Sequence, residues 1–332
     1  MPLEVIIAAV MVASLVLYAL LGGADYGGGV WDLFAFGPRA DKQRKLIAEA
    51  ISPVWEANHV WLILVIVILF TAFPPAFAVI ATALHIPITL LLIGIILRGT
   101  SFTFRTYDVQ RDDVQRRWSL IFSIASIITP ILLGTILGAI ASGTIRFENG
   151  VVMGFFFWLA RFPLSVGFFA LALFAFLAAV YLTVEAPERE LQEDFRWRAL
   201  LSGVVVGLLA LIVFVLAKEG APTVRAGISR SWWALGLHLF TAILATSAFV
   251  ALWIRRYKIA RFCAAAQVTL ILLGWAFAQF PYLIEPDITI SSAAAPPITL
   301  ELLLGALVVG AIVLFPSYYY LFRIFKLNRS GG

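Results

Sequence analysis

Residues 51–70 read ISPVWEANHVWLILVIVILF. Two tryptophans, Trp55 and Trp61, bracket Glu56, Asn58 and His59, and an unbroken run of Leu, Ile and Val follows. As a helix, a stretch of about 20 apolar residues crosses the hydrocarbon core of a bilayer. Ionisable side chains at its start are costly there unless they face protein or water. The run therefore sets the fold, and its polar opening poses a question about function.

The rest of the chain repeats the apolar theme in long blocks. Of 332 residues, 62% are hydrophobic and 13% charged, against about a quarter charged in a soluble domain. Blocks of this length fit helices and not the alternating, roughly 10-residue segments of a membrane barrel. Nine spans are predicted, at about 4–24, 52–72, 76–98, 119–141, 164–184, 199–217, 232–254, 260–279 and 299–323. Loops on one side of these spans, with the C-terminal tail, carry 19 of the 24 Lys and Arg residues. That bias predicts an N-terminus outside and a C-terminus inside. It also explains the net charge of +5 without a nucleic-acid partner. The first apolar block follows no basic segment and reads as a retained span, not a cleaved signal.

The predicted architecture is an all-α polytopic membrane protein, a single integral membrane domain over 1–332. Residues 1–145 form a first four-helix bundle, 160–280 a second, and 299–325 a ninth, peripheral helix. An internal repeat is faint, its best echo being YALLGGADY at 18–26 against YLTVEAPER at 181–189. Each segment sets an acid near the inner end of a span. The outer connection FAQFPYLIEPDITISSAAAPPITL is rich in proline and small residues, so an ordered cap or turn is expected instead of a helix.

The intramembrane polar groups are few. Asp25 lies 21 residues after Glu4, about 32 Å along a helix at 1.5 Å per residue, near the inner edge of span 1. Glu56 lies one turn into span 2, which starts from the same face. His59, three residues later, projects from the same side of the helix. The opening stretch thus reads as a polar entrance cut into the inner leaflet, where a carboxyl can take and release protons. The competing reading is a row of residues reaching to the interface beside a tryptophan belt, with Trp55 and Trp61 as anchors. The glycines of GGADYGGG let helices approach closely, which would bury Asp25. They lack the Lys-Ser/Thr ending of a phosphate loop. His85 and His238 read as core histidines more readily than as haem ligands. Glu185, Glu285, Asp287 and Glu301 fall at span ends, where solvated or capping roles are expected. The lone cysteine, Cys263, excludes an internal disulfide and a Cys-rich metal site.

Four stretches together resemble a known family: LLGGADYGGGVWDL, ISPVWEANHVWLI, AQFPYLIEPDITISSAAAP and LFPSYYYLFRIFK. The chain is similar to subunit II of cytochrome bd-type quinol oxidases, including the cyanide-insensitive branch, in the same order from residue 20 to 326. The resemblance implies a terminal oxidase of the respiratory chain in the bacterial cytoplasmic membrane. It implies a partner, subunit I, that carries haems b and d and oxidises quinol, and allows a small single-span subunit. Subunit II would ligate no haem or metal, stabilise subunit I, and contribute to a proton path from the cytoplasm. The family's acid in a W-D/E-x-N motif falls on Glu56, with Asn58 beside it, and the acid of its G-x-D-x-G segment falls on Asp25. Glu56 stands where many members have aspartate, and His59 where others often have glutamine. A second acid that many members carry just before Asp25 is missing. The residues alone also admit a proton-coupled secondary transporter, although their acids sit at span ends instead of the midplane. A pure scaffold would make Glu56 and Asp25 dispensable.

Overall fold

A computed structural model describes residues 2–51, 55–107, 112–148, 151–153 and 156–324. Ser52, Pro53 and Val54 of the opening stretch, Arg111 of a basic loop, and Lys326 and Arg329 of the tail lie outside the described residues. Among the described residues, nine helices are long and apolar enough to cross a membrane, as the sequence predicts. They are α1 (Leu3–Leu33), α3 (Trp55–Ala72), α5 (His85–Tyr107), α6 (Asp112–Ala141), α7 (Arg161–Glu185), α8 (Arg189–Gly220), α10 (Ala234–Trp253), α11 (Tyr257–Gln279) and α12 (Pro297–Phe322). Three shorter helices join them: α2 (Ala40–Ile51), α4 (Pro74–Ala83) and α9 (Pro222–Arg230).

Several boundaries differ from expectation, α8 beginning at Arg189 and not near 199, and two of the differences bear on the polar residues. The predicted span 76–98 divides into α4 and α5, with Leu84 between them. His85 therefore opens α5, exposed, with Nδ1 2.9 Å from the Thr82 carbonyl, and is not a core histidine. His238 is likewise exposed, on α10. Span 1 does not end at its glycines: α1 runs on to Leu33, so Asp25 lies two turns inside the helix. Glycine disfavours a helix interior by about 1 kcal/mol relative to alanine, but here it permits contact. A Cβ on Gly27 would sit 2.0 Å from the Phe174 carbonyl oxygen, so α1 and α7 meet backbone to backbone. The gain in packing outweighs the loss in propensity.

α1 thus lies at the centre, against α3, α6, α7, α11 and α12. α7 is the most enclosed span, wedged between α1, α6, α8 and α11. α12 touches α1 and α3 and is otherwise exposed. At the end of the bundle where α1 finishes, α2 turns Leu46, Ile47 and Ile51 inward. Its polar face and the preceding Arg39 are tied to the start of α8 and its N-cap Glu188: Arg39 pairs with Asp194 at 2.6 Å, Lys42 with Glu188 at 2.9 Å, and Gln43 donates to Asp194 at 2.8 Å and accepts from Arg198 at 2.7 Å.

At the opposite end the connection after α11 forms an ordered cap. Strands β3 (Tyr282–Ile284) and β4 (Ile288–Thr289) pair antiparallel, preceding α12. A second hairpin, β1 (Arg146–Glu148) with β2 (Val151–Met153), lies between α6 and α7. Arg146 pairs with Asp287 at 3.5 Å between the two hairpins. Ala295 N–H donates to the Ala72 carbonyl at 2.8 Å, fastening the cap to the end of α3. Glu285 is not solvated, as its place at a span end suggests. It is 3% exposed within this cap, in a segment whose Ile284, Ile288 and Ile290 are also buried.

Candidate functional site

The polar residues converge on α1 near the end bearing α2. Asp25 is buried, and Asn58 Nδ2 donates to its Oδ2 across 2.5 Å, linking α1 to α3. Asn58 is 2% exposed, and its Oδ1 has no hydrogen-bond partner among the described residues. Next to it on α3, His59 is half-buried among the rings of Tyr18, Tyr26 and Trp55, at centroid distances of 5.9, 6.1 and 6.3 Å. The hydroxyls of Tyr18 and Tyr26 share a hydrogen bond at 3.1 Å. The guanidinium of Arg98, from α5, lies 4.6 Å from the Tyr26 ring centroid and donates through Nε to Ser126 of α6 at 3.2 Å. Farther along α1, Asp32 accepts from Ser119 and Ser123 at 3.1 and 3.2 Å. Polar side chains thus continue down the centre of an apolar bundle, along the helix that carries the glycines.

Glu56 belongs elsewhere. It shares a helix with Asn58, but two residues at 100° each turn it about 200° away. It is exposed on the surface of this chain, not buried beside Asp25. Asp25 meets the amide, therefore, and the shared depth of the two acids does not bring them onto one face. Trp61 also differs from the expected interface anchor. It is 5% exposed, packed 5.6 Å from the Tyr318 ring and 6.3 Å from Phe315 of α12. Trp55 is half-buried, 5.8 Å from Phe102. The Tyr318 hydroxyl donates to the Ala57 carbonyl, so one tyrosine of the aromatic run holds α12 to the first turn of α3. Tyr319 and Tyr320 face outward.

A cavity of about 60 Å³ adjoins the pair, lined in part by Asp25, Asn58, Ala24, Tyr181, Glu185 and Arg261. Sequence reasoning assigned Glu185 a solvated or capping role and did not single out Tyr181 or Arg261. The one signal present was the echo between 18–26 and 181–189, whose acids, Asp25 and Glu185, line this same cavity.

The three histidines lie apart, His59 among three aromatic rings and His85 and His238 exposed on separate helices. Among the described residues, no three His, Cys, Asp or Glu side chains gather as a metal site.

Fold and site together define a multi-pass membrane protein with a buried carboxylate–amide pair on its central helix. Residues 3–325 match the sequence profile of cytochrome bd terminal oxidase subunit II, and the chain belongs to that family. It is therefore a component of a terminal oxidase, one subunit of a complex whose family name implies haems and a subunit I. It is 24% identical, over 94% of its length and 92% of the relative's, to a protein of Bacillus subtilis (strain 168) named as a cytochrome bd menaquinol oxidase subunit II. It is 25% identical to the cytochrome bd-I ubiquinol oxidase subunit 2 of Escherichia coli (strain K12), over 61% of this chain and 53% of the relative. Its fold matches a chain of the bd oxidase from Geobacillus thermodenitrificans with a TM-score of 0.83 at 22% identity, covering 99% of this chain and 100% of the other.

Proposed function

We propose that this chain scaffolds a haem-bearing subunit I and supplies part of its cytoplasmic proton-uptake path. The complex oxidises a quinol and reduces dioxygen to water in the bacterial inner membrane. Reduction to water consumes one proton per electron, so a haem site within the bilayer needs a polar route to an aqueous face. The end bearing α2 faces the cytoplasm, in keeping with the bias of Lys and Arg toward that side. Residues 1–145 and 160–280 serve as two four-helix bundles, with 299–325 beside them. Haems b and d reside in subunit I. Asp25, Asn58 and His59 form the internal part of the path, and Glu56 contributes at the surface where subunit I docks.

The observation that carries this reading is the buried Asp25 carboxylate, hydrogen-bonded by Asn58 in the middle of a glycine-lined helix contact. A carboxylate is expensive in an apolar bundle, and folding alone gives no reason to retain it. The quinol is supported by the names of the relatives, one a menaquinol and another a ubiquinol oxidase subunit. The test is to tag the chain, extract it gently and record a dithionite-reduced minus oxidised spectrum with the haem content. Haem b and d bands arriving with a second membrane subunit are expected. A haem-free chain purifying alone, from cells that make the partner, would overturn the reading.

A further inference from the structure

We propose that Glu185, paired with Arg261, is the proton-entry group of this chain and loads Asp25 through water held in the cavity between them. The inference rests on the proton-path reading above and gives that path an entrance which the resemblance did not assign.

Four observations support it. First, Asp25 and Glu185 line one cavity, although they come from different spans and lie 160 residues apart. Secondly, the volume of about 60 Å³ exceeds the roughly 10–15 Å³ that a single water requires. Thirdly, the cavity is lined by Asn58, whose Oδ1 is buried and unpartnered among the described residues. A buried acceptor of this kind is normally satisfied by ordered water where space exists. Fourthly, exposure rises along the cavity. Asp25 is 7% exposed, whereas the side chains of Glu185 and Arg261 are 28% and 37% exposed.

Helix ends explain the arrangement. Glu185 is the last residue of α7 and Arg261 lies in the second turn of α11, so both stand at the end of the bundle covered by α2. The Arg261 guanidinium is 3.5 Å from the Glu185 carboxylate and lies 4.8 Å from the Tyr181 ring centroid. This holds the carboxylate at the mouth while leaving its neighbour Tyr181 on the cavity wall. The titratable and charged groups facing the cavity are Asp25 from α1, Tyr181 and Glu185 from α7, and Arg261 from α11; α2 presents Ile47, Ala50 and Ile51, and α3 presents Asn58. Among the described residues lining the cavity, a proton taken by Glu185 thus has one further carboxylate to reach, Asp25. Asp25 releases it onward as the next proton arrives, so each transfer breaks one O–H bond and forms another with no net redox change. Glu56, on the outer surface of α3, does not line this cavity.

The experiment uses the complete oxidase with Glu185→Gln, Glu185→Asp and Asp25→Asn, measuring haem content, oxygen consumption across pH, and proton uptake in liposomes. Glu185→Gln is expected to retain haem and slow turnover several-fold, most at alkaline pH where protons are scarce, while Glu185→Asp restores most of the rate with a displaced pH profile. Should Asp25→Asn be slow while Glu185→Gln keeps the native rate and pH profile, the entrance lies elsewhere, and the path through Asp25 stands. Native profiles in both would overturn the entrance and the Asp25 path together. If Glu185→Gln loses haem, Glu185→Asp decides: a displaced profile supports the entry role, and an unchanged one overturns it.

Discussion

Asn58 of α3 donates to the buried carboxylate of Asp25 on α1 across 2.5 Å, joining two helices that also meet through His59 and the rings of Tyr18 and Tyr26. A hydrogen bond to a charged group contributes about 1.5–3 kcal/mol. Asn58→Leu is therefore expected to lower the thermal midpoint of the solubilised complex more than Leu62→Ala, a half-buried truncation one turn away. Equal shifts would show that the amide contributes packing alone.

The approach of α1 to α7 makes a sharper steric forecast. Gly27→Ala places a methyl 2.0 Å from the Phe174 carbonyl oxygen, a backbone atom that no rotamer change moves. The expected result is loss of the assembled subunit from the membrane. Gly207→Ala on α8 meets nothing within 4 Å and gains up to about 1 kcal/mol of helix propensity. Membrane levels of the two variants, read by immunoblot, check the contrast.

Glu285 carries a dependence on pH. Burial in the cap after α11 pushes its carboxyl above the ordinary range, partly opposed by a hydrogen bond with Thr223. The folded cap then binds a proton that the unfolded chain has released, so its stability is greatest at low pH and falls as pH rises through that window. Glu285→Gln, which removes the titration, is expected to flatten this fall. Proteolysis of the 280–296 segment as a function of pH measures it, and a decline undiminished in the variant would place the titrating group elsewhere.

Glu56 stands on the surface of this chain, where a partner covers it in the assembled complex under the proposed reading. Glu56→Gln removes ionisation while retaining size and hydrogen bonding. Oxygen consumption is expected to slow several-fold with haem content unchanged, because an amide cannot relay protons by ionising. Unchanged turnover across pH would assign Glu56 a merely structural place.

How far the sequence reached can be judged from particular residues. Nine apolar blocks fixed the count of spans, because a chain in hydrocarbon must pair its backbone within each helix. The proline-rich connection after α11 indicated a cap, since proline withholds the donors a helix needs. The GGADYGGG glycines showed where Asp25 would be buried, through the close helix approach they allow. These are local properties, expressed by each segment whatever its neighbours.

The partners of the polar groups are not local. Glu56 and Asn58 are two residues apart in sequence, yet one reaches the surface and the other the core, because rotation about α3 is set by what α1, α5 and α12 leave open. Tertiary packing alone carried α1 through its glycines to Leu33 and buried Trp61 against Tyr318 instead of at the lipid boundary. It also brought Asp25 and Glu185 to one cavity across 160 residues. The sequence by itself determined which segments enter the membrane, through transfer free energies that sum along each block. Only the tertiary structure decided which side chains face one another, because that depends on how neighbouring helices pack.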